Sequence, residues 1–81
     1  MKNEKQIKIK FLEIAKGAGF KNLHSFCKET KNPLSKVGHR SCYGVNCHFK
    51  KPPYDIRVLR GYARDLKISE EEVYELFQLE L

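Results

Sequence analysis

The side chains of this 81-residue chain best suited to chemistry are His24, Cys27, Cys42, Cys47 and His48. Thiolate sulfur and imidazole nitrogen are the ligands zinc prefers, and a structural zinc takes about four of them in a tetrahedron. His24 and Cys27 stand three apart, and a set of His24, Cys27, Cys42 and Cys47 is conceivable. The spacing speaks against it. No Cys-x-x-Cys occurs, and Cys42 and Cys47 fall within one predicted helix. Cys27 and Cys42 occupy positions where a helical fold wants small apolar groups, a role buried cysteine fills well. Cys47 is the more exposed thiol and a candidate for redox sensitivity. The expectation is therefore no metal and no cofactor.

A nucleophilic cysteine needs a positioned histidine and an oxyanion-stabilising pocket. Cys47 and His48 are adjacent, and on a helix adjacent side chains point in different directions. The chain has no glycine-rich phosphate loop and no carboxylate pair. Enzymatic activity is not expected.

A different chemistry is available to His39, Arg40, Ser41, Tyr43 and Asn46. On the outer side of a helix, such groups reach base edges in a DNA major groove. Arg40 suits the O6 and N7 of guanine, and Asn46 suits the N6 and N7 of adenine, each good pair contributing about 1–3 kcal/mol of discrimination. Lys36, Lys50 and Lys51 flank this stretch and suit phosphate oxygens. Asn22, at a helix start, can hold a phosphate through backbone N–H groups, with Lys21 and Lys28 as further phosphate contacts. Each has a plainer use: a solvated arginine for Arg40, packing at the bundle edge for Tyr43, a helix-end cap for Asn46.

Five helices must position these groups. The first spans about 4–17, with Ile7, Phe11, Ile14, Ala15 and Ala18 on one face. Gly17-Ala18-Gly19 stops it, because glycine readily takes the left-handed conformation. The second spans about 23–30 behind the N-cap Asn22, and Lys31-Asn32-Pro33 ends it. The third spans about 39–47, with Cys42 and Val45 inward; Gly44 costs it about 1 kcal/mol of propensity against alanine. The fourth spans about 56–66, capped by Asp55, with Ile56, Leu59, Tyr62, Ala63 and Leu66 on one face. The fifth spans about 70–80, entered through the Ser69-x-x-Glu72 capping box, with Val73, Leu76 and Phe77 inward. Leu79 and Leu81 extend its apolar character and are candidate contacts for a homodimer. The fold class is all-α, a compact single-domain bundle.

Charge is unevenly spread. Residues 1–51 carry twelve basic side chains and three acidic ones, residues 52–81 four and seven, for a net charge of +6. A basic block beside an acidic one suggests a half that faces a polyanion. No run approaches the roughly 18 apolar residues of a membrane span, and no apolar segment follows the lysine-rich start as in a secretory signal. An odd number of cysteines fits a reducing cytoplasm better than a disulfide framework.

Residues 37–73 resemble the repressor/Cro-type (XRE-like) helix-turn-helix family. Val37-Gly38 matches the opening of its recognition segment, and Cys42 and Val45 match the apolar anchors of the recognition helix. Lys50-Lys51-Pro52 matches the basic loop that follows, Leu59, Tyr62-Ala63 and Leu66 the next helix, and Ile68 to Val73 the start of the fifth. Residues Lys31 to Lys36 lengthen the turn before the recognition helix, and Leu23 stands where the family often has a polar residue. The resemblance implies a lambda-repressor-like fold and a sequence-specific regulator of transcription, of phage or mobile-element type, acting on duplex DNA as a homodimer. A bundle that has lost DNA reading and binds protein, or one that binds RNA, would share these features.

Overall fold

The computed structural model of the protein describes residues 4–31 and 39–78. Within them the chain forms α1 (Glu4–Gly17), α2 (Leu23–Glu29), α3 (Cys42–Lys50), α4 (Ile56–Leu66) and α5 (Glu70–Phe77). The fold is an all-α bundle, and no helix among the described residues is long and apolar enough to cross a membrane. Lys36, Leu79 and Leu81 lie outside the described residues.

The α1 helix buries Ile7, Phe11 and Ala15 along one stripe. Gly19, at φ 104°, then turns the chain, and the Phe20 N–H donates to the Ala15 carbonyl at 3.0 Å. A side chain would be strained at that φ, so glycine is the residue the turn requires. Asn22 caps α2: its Oδ1 accepts the Ser25 N–H at 2.8 Å. Asp55 caps α4 through the Arg57 N–H at 2.9 Å, and Ser69 and Glu72 form a reciprocal capping box on α5. Gln78, at φ 57°, ends α5 sooner than the apolar pattern suggests.

The core is built around Phe11. Its ring meets Phe26 and Phe49 edge-on at 5.1 Å each, and Tyr62 at 5.6 Å. Edge-to-face pairs of this kind contribute about 0.5–1.5 kcal/mol beyond area burial. These rings come from α1, α2, α3 and α4, and Phe77 of α5 joins Tyr62 at 5.5 Å. One aromatic cluster thus ties all five helices together. It compensates for the thin core of a small domain.

The third helix differs from expectation in register. It starts at Cys42, not at residue 39, and runs to Lys50. The cause lies just upstream. His39 pairs with Lys31 in an isolated antiparallel bridge, and the Arg40 N–H donates to the Thr30 carbonyl at 3.3 Å. These bonds hold residues 39 and 40 in extended backbone against the end of α2. Ser41 then caps α3, its Oγ accepting the Gly44 N–H at 3.3 Å. Val45 and Phe49 anchor the helix in the core and offset the low propensity of Gly44.

Candidate nucleic-acid interface

Counting from the Ser41 cap, Val45 and Phe49 define the inner face of α3. The opposite face carries Tyr43, Cys47 and Lys50, at i, i+4 and i+7. Tyr43 is 79% exposed, Lys50 is exposed, and Cys47 is partly so. Gly44 adds no side chain to this outer surface, and a Cβ there would meet only Ser41 Cβ at 3.8 Å. Lys51 is exposed at the helix end, and Tyr54, 80% exposed, follows in the loop to α4. Lys21, Asn22 and Lys28 are exposed on and before α2, which packs against α3.

The structure leaves some of the residues expected at the contact exposed and places the others elsewhere. Tyr43, Lys50 and Lys51 stand at the surface as anticipated. His39 and Ser41 are exposed but lie before the helix, one in the bridge to Lys31, the other as its cap. Asn46 is half-buried, and its amide folds back to donate to the Cys42 carbonyl at 2.9 Å. It does not offer a free fork to a base.

Arg40 is the main correction. It is buried, with a side chain only 4% exposed, and cannot reach a base edge. Its Nη1 meets Asp65 Oδ2 at 2.6 Å. Its guanidinium lies over the Tyr62 ring at 4.7 Å and the Phe26 ring at 5.1 Å. Its Nη2 has no hydrogen-bond partner among the described residues, and the flanking π faces are what offset that loss. Sequence reasoning missed this because the counter-ion is 25 residues away on another helix.

Tyr62 extends the network. Its hydroxyl and the His48 Nδ1 share a 2.6 Å hydrogen bond. Burial raises the Tyr62 pKa, so the phenol stays protonated. Burial and then the nearby Arg40 charge lower the pKa of His48, which favours a neutral ring. A cavity of about 110 Å³ opens beside these groups, between α3 and α4.

A second cleft, of about 320 Å³, separates α2 from the start of α3. His24, Cys27, His39 and Cys42 line it, with Lys28 and Arg40. The Cys42 thiol lies within hydrogen-bonding reach of Cys27, and burial first, then that contact, pushes the Cys27 thiol up to about 12. Cys47, five residues beyond Cys42, is on the far side of α3 and does not line this cleft. Among the described residues, no three His, Cys, Asp or Glu side chains form a group that could hold a metal ion.

Comparison of the chain with protein-family models, with curated proteins and with solved structures found no match.

Proposed function

We propose that this protein binds duplex DNA through the outward face of α3, acting as a helix-turn-helix regulator of transcription. One observation carries the reading: Tyr43, Cys47 and Lys50 form a solvent-facing stripe on a helix whose other side is anchored in the core. A helix is the element that fits a major groove. Lys51 at its end, and Lys21 and Lys28 near α2, supply cations for phosphates at the flanks. The resemblance of residues 37–73 to the repressor/Cro-type family supports the same assignment and adds the expectation of a palindromic operator and a homodimer.

The reading partner set changes with Arg40 removed. Tyr43 becomes the principal base-edge contact, offering an aromatic face and a hydroxyl; Lys50 is the one cation within the stripe.

The test is a salt-dependent mobility shift with mixed-sequence duplex DNA. Binding should weaken linearly in log–log form, with a slope of about −0.9 per phosphate neutralised. Replacing Lys50 and Lys51 by alanine should make the slope shallower by roughly 1.8. No binding at low salt would refute the proposal.

A second reading rests on the same face. With Arg40 structural, an exposed tyrosine on α3 and another, Tyr54, in the following loop suit a protein partner as well as a groove. Failure with duplex DNA, and with RNA, would favour that protein-interaction module.

A further inference from the structure

Arg40 has a donor that its surroundings leave unmet. Its side chain is 4% exposed, Asp65 takes Nη1 at 2.6 Å, and Nη2 has no hydrogen-bond partner among the described residues. The Phe26 and Tyr62 rings attract its charge, but an aromatic face is a weak acceptor for an N–H. A buried donor left over in this way marks a place where an acceptor belongs. Arg40 also lines the cavity of about 110 Å³ between α3 and α4. We propose that this cavity binds a small free oxyanion of the phosphate type, held by Arg40, Ser41 and His48. The proposal does not rest on DNA binding, and either can fail without the other.

The cavity wall has the chemistry an anion needs. It carries the Arg40 guanidinium, the Ser41 hydroxyl, the His48 imidazole and the Tyr62 phenol, and no carboxylate among the described residues. Ser41 Oγ accepts the Gly44 N–H at 3.3 Å, which leaves its own proton to donate. The Tyr62 phenol is protonated and has one hydrogen-bond partner among the described residues, His48 Nδ1 at 2.6 Å. It therefore donates to Nδ1, and the neutral imidazole carries its own proton on Nε2, a further donor. Ser41 caps α3, a nine-residue helix whose N-terminus carries positive partial charge. Asp65 is shared between Arg40 at 2.6 Å and Arg64 at 3.1 Å, so these three groups keep one net positive charge.

Size selects the ligand. Gly44 places no side chain on the α3 wall of the cavity. At about 30 Å³ for each water, the space equals about three to four waters. That admits phosphate or an oxyanion of similar size and excludes a nucleotide or a DNA strand carrying the same group. Ser41, which is exposed, stands where the cavity meets solvent. Nη2 itself is closed to water, so the guanidinium moves a small way toward the cavity when the anion binds. One ion then joins the start of α3 to α4.

The experiment is a calorimetric titration of the full chain with inorganic phosphate, exchanged for chloride so that ionic strength stays fixed. One equivalent should bind saturably, and Tm should rise by roughly 6–12 °C when phosphate is at about ten times Kd. Ser41→Asp keeps a good N-cap and puts a carboxylate on the cavity wall, so it should weaken phosphate binding at least about tenfold. Ser69→Asp makes the same change at the cap of α5, away from the cavity, and should bind phosphate as the parent does. Arg40→Met should abolish binding; if that variant does not fold, Ser41→Asp still decides. A response that never saturates and follows salt alone would overturn the proposal. So would Ser41→Asp, folded by circular dichroism, binding phosphate as tightly as Ser69→Asp.

Discussion

Removing the carboxylate of Asp65 should destabilise this protein more than removing its partner, Arg40. The guanidinium is almost wholly enclosed, its side chain 4% exposed, whereas Asp65 is 14% exposed and also meets Arg64 at 3.1 Å. Asp65→Ala therefore strands a buried cation, and breaking a buried pair in this way costs about 3–5 kcal/mol. Arg40→Met leaves Asp65 with Arg64 and some water, and Met fills much of the space between Phe26 and Tyr62. That variant should cost about 1–3 kcal/mol. The double variant Arg40→Met with Asp65→Leu should recover most of the Asp65→Ala loss, because apolar replacement of a buried pair is often neutral. Against a total stability of about 4–12 kcal/mol for a chain of this length, Asp65→Ala is a large perturbation. It should lower Tm by roughly 12–40 °C. Urea unfolding followed by circular dichroism gives each value, with an unchanged slope confirming two-state behaviour. If Asp65→Ala and Arg40→Met both lie within about 0.5 kcal/mol of the parent, as ordinary surface changes do, the buried pair is not formed. Arg40 would then return to the surface as a base-reading candidate.

Two further outcomes follow from α3 and its contacts. Gly44→Ala should raise stability by about 0.5–1 kcal/mol, since the new methyl meets only Ser41 Cβ at 3.8 Å and helix propensity improves; a lower urea midpoint would contradict the open space there. His48 has its pKa lowered in the folded state by burial and by Arg40. The unfolded chain therefore binds the proton more readily, and the stability from the neutral ring is complete above the ordinary imidazole pKa of about 6.5 and declines as pH falls below it. Urea midpoints at pH 7.5 and 5.5 should differ in the parent and differ less in His48→Gln; equal differences would remove His48 as the cause.

Local signals in the sequence account for most of the fold. The stripe from Ile7 to Ala15, the Asn22 and Asp55 caps and the Ser69 capping box each act within one or two helical turns, and the helices start where those residues put them. The start of α3 was legible in part. Ser41 is a preferred N-cap residue, but its use depends on the bridge between Lys31 and His39, a tertiary contact. Val45 faces inward in both, but the later cap takes residues 39–41 out of the helix and adds 48–50 at its end, so the groove-facing set changes from Arg40 and Asn46 to Cys47 and Lys50, with Tyr43 common to both. Burial of Arg40 was not legible at all, since Asp65 and Tyr62 lie on α4 and Phe26 on α2, all far from it in sequence. The cleft shared by His24, Cys27, His39 and Cys42 was hidden for the same reason.

The central claim, that the outer face of α3 contacts duplex DNA, is tested most directly by amide chemical shifts of the ¹⁵N-labelled protein titrated with duplex at low salt. The account predicts the largest perturbations at Ser41, Tyr43, Gly44, Cys47, Lys50 and Lys51, with the exposed side of α5 unmoved. An unchanged spectrum, or shifts centred on α1 or α5 with α3 silent, would contradict it.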